Sequence, residues 1–264
     1  TDLERCGQSA ASRRLLWDPL ALAILNESPE RAAAVLFHRV CREAFLRDAR
    51  DSRLVFLRRG WGVLAERLAG YFEARGGVVR RGVRAERLEV AGGRVTGVGV
   101  LARPAERSTL PAEAVVSSVP PPAVTALLAE EWRSRPPFEA LARFAPSPIL
   151  SIEVWLDRPV VEGLMLGLRD CEMEWLFDKG RLHGRTGAPQ HLAFITSAAF
   201  RSGEKSNREL VAAAEQALRR HFPAMTEAQI TRALVRREPA ATFASTPELE
   251  ALRPGPATPI AGFY

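Results

Sequence analysis

The stretch Arg58–Val100, RRGWGVLAERLAGYFEARGGVVRRGVRAERLEVAGGRVTGVGV, joins a glycine-led helical pattern to a pair of strand patterns, and its reading decides the fold. Gly60, Gly62 and Ala65 spell G-x-G-x-x-A behind the apolar run Leu54-Val55-Phe56-Leu57, the setting in which a dinucleotide-binding turn is expected. Two features argue against that use. Arg58 and Arg59 stand directly before Gly60, where the central strand of such a unit is buried and two arginines would be costly. The next strand pattern, Val78 to Arg81, ends in arginines where an Asp or Glu should hold the ribose hydroxyl. The glycines are expected instead to bring a loop close to the start of a helix; the alternative is that the arginines meet the phosphate of NADP.

That helix follows from Trp61, Leu64, Leu68 and Tyr71, which recur at three- and four-residue steps and predict an amphipathic segment from Trp61 to Arg75, ended by Gly76-Gly77. Val78 to Arg81 reads as a short strand and Glu86 to Val90 as another. Ala91-Gly92-Gly93-Arg94 reads as the hairpin loop before a return strand, Val95 to Val100. After a polar loop, Ala114 to Val119 is a near-continuous apolar run, predicted as a strand buried on both faces. Pro120-Pro121-Pro122 stops it, and a helix is expected over Ala123 to Ala129.

Before this stretch, Leu15, Leu16, Leu20, Leu22 and Ile24 give way to a break at Asn26-Glu27-Ser28-Pro29. A second helix is expected there, with Ser28 as its cap and Pro29 in its first turn. After the stretch, Leu150, Ile152, Val154 and Leu156 alternate with Ser151, Glu153, Trp155 and Asp157, the period of a half-buried antiparallel strand. Glu172 to Phe177, His191 to Ser197 and Ile230 to Arg237 read as further strands. A helix capped by Asn207 lies among them, closed by Pro223. This half predicts an antiparallel sheet backed by helices, separate from the sheet around Val116.

At 264 residues, 47% hydrophobic and 26% charged, the chain can bury a sizeable core. Its net charge of +6 is carried by scattered arginines, without the clustered basic face and interleaved aromatics of nucleic-acid binding; attraction to an anionic membrane surface is compatible with it, although the excess is spread out and forms no dense cluster. Cys6, Cys41 and Cys171 are odd in number and far apart, which argues against a disulfide framework or zinc site and fits a reducing cytoplasm. His38, His183, His191 and His221 lack metal-ligand spacing, so no metal is expected and they read as surface or core imidazoles. No apolar run reaches the ~18 residues of a bilayer span. Asp18, Glu153 and Asp157 lie near apolar segments and read as caps or surface charges.

The glycine-led helix with RGGVVRRGVRAERLEVAGGRVTGV and AEAVVSSVPPPA behind it resembles the phytoene desaturase and amine-oxidase group of FAD flavoproteins. Within that group, LLWDPLALAILNESPERAAAVLFHRV, EVWLDRPV, EWLFDKG and ATFASTPELEALRPGPATPIAGFY resemble the squalene-associated branch, the hydroxysqualene dehydroxylases. The resemblance implies a mixed α+β and α/β fold: a partial FAD-binding sheet beside a substrate domain of antiparallel sheet and helices. It assigns 1–57 to the helical part of the substrate domain and 58–130 to a partial FAD-binding domain with a hairpin crossover. Residues 131–255 form the rest of the substrate domain, and 256–264 start a strand returning to the FAD-binding domain.

By the same resemblance, Val83 faces the adenine of FAD through its backbone, with Arg87-Leu88 slightly out of register behind it. Ser118 and Val119 pass close to the cofactor, and no residue stands out as a catalytic acid. The group opens with a strand and a G-x-G-x-x-G that seats the FAD pyrophosphate, and it closes with a Gly-Asp segment and a helix. Neither stands between Thr1 and Tyr264, so the chain is expected to be an internal piece of such a protein. The implied activity is FAD-dependent oxidation or reduction of a long apolar isoprenoid, foremost hydroxysqualene to squalene, in the cytoplasm or at the inner face of the membrane. Carotenoid desaturation of the phytoene type is the alternative, and a non-catalytic lipid or membrane-surface module the alternative of another class.

Titration of the purified protein with NADH and NADPH will show no saturable binding at Gly60-Trp61-Gly62. A micromolar Kd for either nucleotide would overturn this reading of the glycines.

Overall fold

The computed structural model describes residues 2–102 and 105–264. Gly92 and Gly93, with φ of 57° and 73°, turn the chain between β1 (Val83–Ala91) and β2 (Arg94–Ala102). Positive φ at both central residues gives a hairpin turn whose twist matches the strands, and glycine adopts it without strain. β3 (Glu106–Pro111) completes an antiparallel sheet in the order β1-β2-β3. It lies in the stretch read as a polar loop, because a solvent-facing edge strand keeps polar side chains that carry no alternation; Arg103 and Pro104 of that stretch lie outside the described residues.

Two strand expectations are corrected nearby. Val78 to Arg81 is irregular, with Val78 70% exposed, because no neighbouring strand pairs with it among the described residues. Ala114 to Val119 forms only a short parallel pairing with the chain's last residues. Val115 N–H donates to the Gly262 carbonyl at 2.7 Å, Ser117 N–H to that of Tyr264 at 2.7 Å, and Tyr264 N–H to that of Val115 at 2.9 Å. Its apolar sequence predicts burial on both faces, yet Val116 is 79% exposed, since pairing covers one edge and nothing described packs over its side chain. Leu54 to Leu57 is likewise no strand, and Gly60 closes a turn with φ of 76°, its N–H donating to the Leu57 carbonyl. The helix Trp61–Glu73 forms as its periodicity predicts, with none of its residues buried.

The remaining strands, β4 (Pro146–Leu156), β5 (Met165–Gly167), β6 (Trp175–Asp178), β7 (Gln190–Ser197) and β8 (Ile230–Phe243), form one sheet in the order β5-β6-β7-β4-β8, antiparallel throughout. The alternating run Leu150 to Leu156 is the long middle of β4, as its pattern predicts. Leu150, Ile152, Val154 and Leu156 lie on one face with Leu192 and Phe194 of β7 and meet Leu210, Ala214, Ala217 and Leu218 of the helix Asn207–His221. Each leucine, isoleucine, valine and phenylalanine side chain so taken from water stabilises the fold by roughly 1.5–3 kcal/mol, and the alanines by less. The helix is capped one residue earlier than expected. Ser206 and Glu209 form a reciprocal capping box that satisfies two backbone N–H groups, which Asn207 alone does not. The pairing of β4 with β8 shifts register twice, between Ser147 and Ile149 and between Trp155 and Leu156.

The chain divides into two compact units, Thr1–Ala65 with Pro146–Pro247, and Glu66–Ala145 with Glu248–Tyr264. In the second, Leu88, Val95, Val100, Phe138, Ile260 and Phe263 are among the buried residues. In the first, the N-terminal helices Asp18–Leu25 and Ala34–Ala44 are fastened to the sheet by Asn26. Asn26 is 3% exposed and takes the left-handed conformation that ends the first helix. Its Nδ2 donates to the Ser147 carbonyl at 3.1 Å and to Thr242 Oγ1 at 2.9 Å, and its Oδ1 accepts from Ala198 N–H at 2.7 Å. The expected cap at Ser28 does not form. The Ser28 carbonyl accepts from Arg31 and Ala32 in a tight turn, and the second helix starts at Ala34 behind Ala33, whose N–H donates to the Ser245 carbonyl. No helix among the described residues is long and apolar enough to cross a membrane.

Asn26→Ala removes three hydrogen bonds and leaves a buried carbonyl on β4 and part-buried partners on β8 and after β7 without them. Urea unfolding should show a loss of about 2–4 kcal/mol with little change in m.

Candidate active site

Because strand side chains alternate, the face of β4 opposite the core carries Ser151, Glu153 and Trp155. The register sets His191 beside Trp155, and Ala193 beside both Glu153 and Phe177. Glu153 is 5% exposed. Lys179 Nζ donates to its Oε1 at 3.1 Å, His191 Nε2 donates to its Oε2 at 2.8 Å, and the Arg236 guanidinium lies 3.6 Å from Oε1. Burial alone would push the Glu153 carboxyl up, but the hydrogen bonds from Lys179 and His191 outweigh it and hold the group below the ordinary carboxylate value. Burial lowers the His191 value and outweighs the bond to Glu153, with Lys179 and Arg185 adding to the effect. At neutral pH the pair is therefore a carboxylate accepting from a neutral imidazole.

The side chains around the pair are held in place. Asp178 ends β6 and caps the turn Lys179–Leu182 by accepting from Arg181 N–H at 2.8 Å, beside Lys179, which donates to Glu153. Gln190, which opens β7 one residue before His191, donates to Asp178 Oδ2 at 2.8 Å and accepts from the N–H groups of Val160 and Val161. Trp155 stacks on the His191 ring, centroids 4.2 Å apart and planes 13° apart, with the Arg232 guanidinium 4.6 Å from its own centroid. Phe56 packs edge-on against Phe177, their centroids 6.3 Å apart. The face thus combines an aromatic surface with one proton-exchanging pair. Glu153 is no cap or surface charge: its partners stand 26 and 38 positions along the chain, reachable only once the strands pair. Asp157 is an exposed carboxylate that accepts at 2.9 Å from Gln229 N–H, 72 positions along the chain, and Asp18 opens its helix 3.7 Å from Arg13 Nε.

Val83, Ser118 and Val119 all belong to the second unit. Val83 is the first residue of β1, an edge strand. Ser118 and Val119 are exposed just before the helix Pro121–Leu127, which packs against β1. Two observations suit a flavin here. Among the described residues the outer edge of β1 has no partner strand, and Ser117 Oγ is buried without a hydrogen-bond partner.

A separate cavity of about 560 Å³ in the first unit is lined by Glu27, Glu172, Glu174, Thr196 and Ser197 among others. Glu27 Oε1 accepts from Ser28 N–H at 2.8 Å, and Oε2 lies 3.6 Å from Arg31. Burial pushes the Glu174 carboxyl up to about 7, although it accepts from Ser197 N–H at 3.0 Å.

One unit thus carries a five-stranded antiparallel sheet with a helix-covered face, and the other, smaller unit a three-stranded β-meander. The chain belongs to the flavin containing amine oxidoreductase family, whose sequence profile matches residues 2–264. It is 31% identical over 254 residues to hydroxysqualene dehydroxylase of Rhodopseudomonas palustris, covering 93% of this chain and 54% of that protein. It is 24% identical over 237 residues to 15-cis-phytoene desaturase of Synechococcus elongatus, covering 83% and 48%. The chain thus spans about half the length of these relatives. Among solved structures, cyclohexylamine oxidase from Brevibacterium oxydans shares the fold with a TM-score of 0.65 at 15% identity, over 99% of this chain and 60% of that one.

The raised Glu174 value gives a stability dependence of known sign. Folded Glu174 keeps its proton to about pH 7 whereas the unfolded chain releases it near 4.5, so its contribution is complete at low pH and is lost as pH rises through that window. Glu174→Gln keeps an acceptor for Ser197 and should gain about 2 kcal/mol on the parent between pH 4 and pH 8, measured by urea midpoints at each pH.

Proposed function

We propose that the chain is the substrate-binding part, with a portion of the flavin-binding part, of an FAD-dependent oxidoreductase that converts hydroxysqualene to squalene. The observation that carries this reading is the 31% identity with hydroxysqualene dehydroxylase along 254 residues. The first unit then holds the isoprenoid and the second contributes to the flavin site. The open aromatic face of the large sheet, with Trp155, Trp175 and Phe177, supports that division: a long hydrocarbon binds through apolar burial at ~25 cal/mol per Å², and such a face supplies it.

Val83 would meet the adenine side of FAD through its backbone, and Ser118 and Val119 would pass close to the cofactor. When bound, FAD supplies hydride transfer. The chain's own part is to bind and orient the isoprenoid, keep water from the reacting carbon and hold a proton at His191. An apolar substrate of this size resides in lipid, so the reading includes peripheral contact with the membrane's inner face, to which the +6 charge is suited.

The holoenzyme, reduced under anaerobic conditions and given hydroxysqualene, should yield squalene by gas chromatography and mass spectrometry. Formation of none, with phytoene consumed instead, would shift the reading to desaturation. In the same protein Val83→Pro should weaken flavin retention, read as 450 nm absorbance after gel filtration, while Val83→Ile should not. Proline is tolerated at the first residue of an edge strand, so the loss would report a missing N–H. Circular dichroism must show both variants folded, and full retention by folded Val83→Pro would remove Val83 from the site.

A further inference from the structure

We propose that His191 hydrogen-bonds the hydroxyl of an isoprenoid alcohol and gives it a proton as the C–O bond breaks, with Glu153 as the positioning residue. This rests on the reading that the substrate is a long isoprenoid, and it names the polar group that the site recognises. Three observations carry it.

First, a face built only for hydrocarbon would have no use for a charged cluster, since placing apolar chain over Glu153, Lys179 and His191 desolvates them without return. A hydroxyl supplies both a donor and an acceptor there. Second, Nε2 of His191 is engaged by Glu153 Oε2, which fixes the neutral tautomer and makes Nδ1 the nitrogen that takes up and releases a proton. Third, the charged groups near the imidazole are mostly cationic. Lys179 and Arg185 disfavour a second positive charge, Arg236 meets the far oxygen of Glu153, and Arg232 lies over the stacked Trp155. An imidazolium formed there is a stronger acid than free histidine, while the Glu153 carboxylate keeps it within reach of protonation.

The step balances as follows. The Nδ1–H bond of the imidazolium breaks and an O–H bond forms on the substrate. The C–O bond breaks with its electron pair on oxygen, and water leaves. The carbon left by the hydroxyl requires a hydride, which a reduced FAD, when bound, would supply while being oxidised by two electrons. Alcohol, proton and hydride become hydrocarbon and water, and solvent returns the proton to His191.

Trp155 supplies a readout apart from turnover, because a stacked imidazolium quenches indole emission where the neutral ring does so weakly. The holoenzyme is titrated between pH 4.5 and 8.5, with Trp155→Phe subtracted to isolate the signal. A C30 isoprenoid alcohol and the matching hydrocarbon, in detergent, are then bound at pH 7. We expect quenching on acidification with a midpoint below the ordinary histidine value of about 6.5. The alcohol should bind at least about tenfold more tightly than the hydrocarbon, with the difference abolished in His191→Phe. Glu153→Gln should move the midpoint lower, and kcat/KM for the alcohol should rise on acidification with the same midpoint. His191→Phe should lose about 10²-fold in kcat/KM together with that pH dependence. Equal affinity for alcohol and hydrocarbon, or a midpoint unmoved by Glu153→Gln, would overturn the proposal. If the unaltered holoenzyme forms hydrocarbon and both variants do so equally with the same pH profile, this inference fails alone. If the unaltered holoenzyme prefers the alcohol yet never reduces it, the dehydroxylation reading fails and the donation step with it.

Discussion

Between Leu150 and Leu156, β4 is paired on both edges, by β7 and by β8, so its backbone groups are satisfied within the sheet and its side chains have two directions to take. Four of them fill the layer against the helix Asn207–His221. The other three, Ser151, Glu153 and Trp155, are thereby committed to the opposite face whatever their polarity. A carboxylate committed in this way cannot retreat to water, and its desolvation has to be offset by charge and hydrogen bonds at close range. Lys179, His191 and Arg236 supply them from three neighbouring elements. The architecture of the first unit and the chemistry of its open face thus follow from one strand.

What could be read beforehand divides along the same line. The period of two in Leu150–Leu156 was enough to predict an antiparallel strand, and the steps from Trp61 to Tyr71 were enough for a helix, because both patterns are local. The glycine pair at Gly92-Gly93 gave its turn away for the same reason. Glu153 was not legible as part of a site, since its meaning depends on Lys179 and His191, which arrive through the pairing of β4, β6 and β7. The local sequence marks Asn26 only as part of a break between helices. That it fastens those helices to β4 and β8 depends on contacts 121 and 216 residues away.

The second unit shows the reverse case, in which local pattern promised more order than pairing delivers. Val78 to Arg81 and Ala114 to Val119 carry the β-branched residues of strands, yet the first has no neighbour among the described residues and the second has one, over three residues. Strand propensity describes how well a side chain fits a pleated, half-covered surface, and without that surface Val78 and Val116 face solvent. The resemblance to flavoproteins was nevertheless readable from these very segments, because order and spacing of motifs survive where pairing does not.

The two register shifts between β4 and β8 have a bearing on which changes of chain length the fold can absorb. They bracket the stretch from Ile149 to Trp155, so the alignment inside it is pinned at both ends. A residue inserted between them would reverse the faces beyond it, turning the charged cluster toward the packed helix and leucines toward the open side. An insertion at Gly92-Gly93 would only lengthen a turn. Natural variants of this chain should therefore differ in length at the meander and stay constant across the middle of β4, a reading frame for side chains set by two small irregularities at its ends.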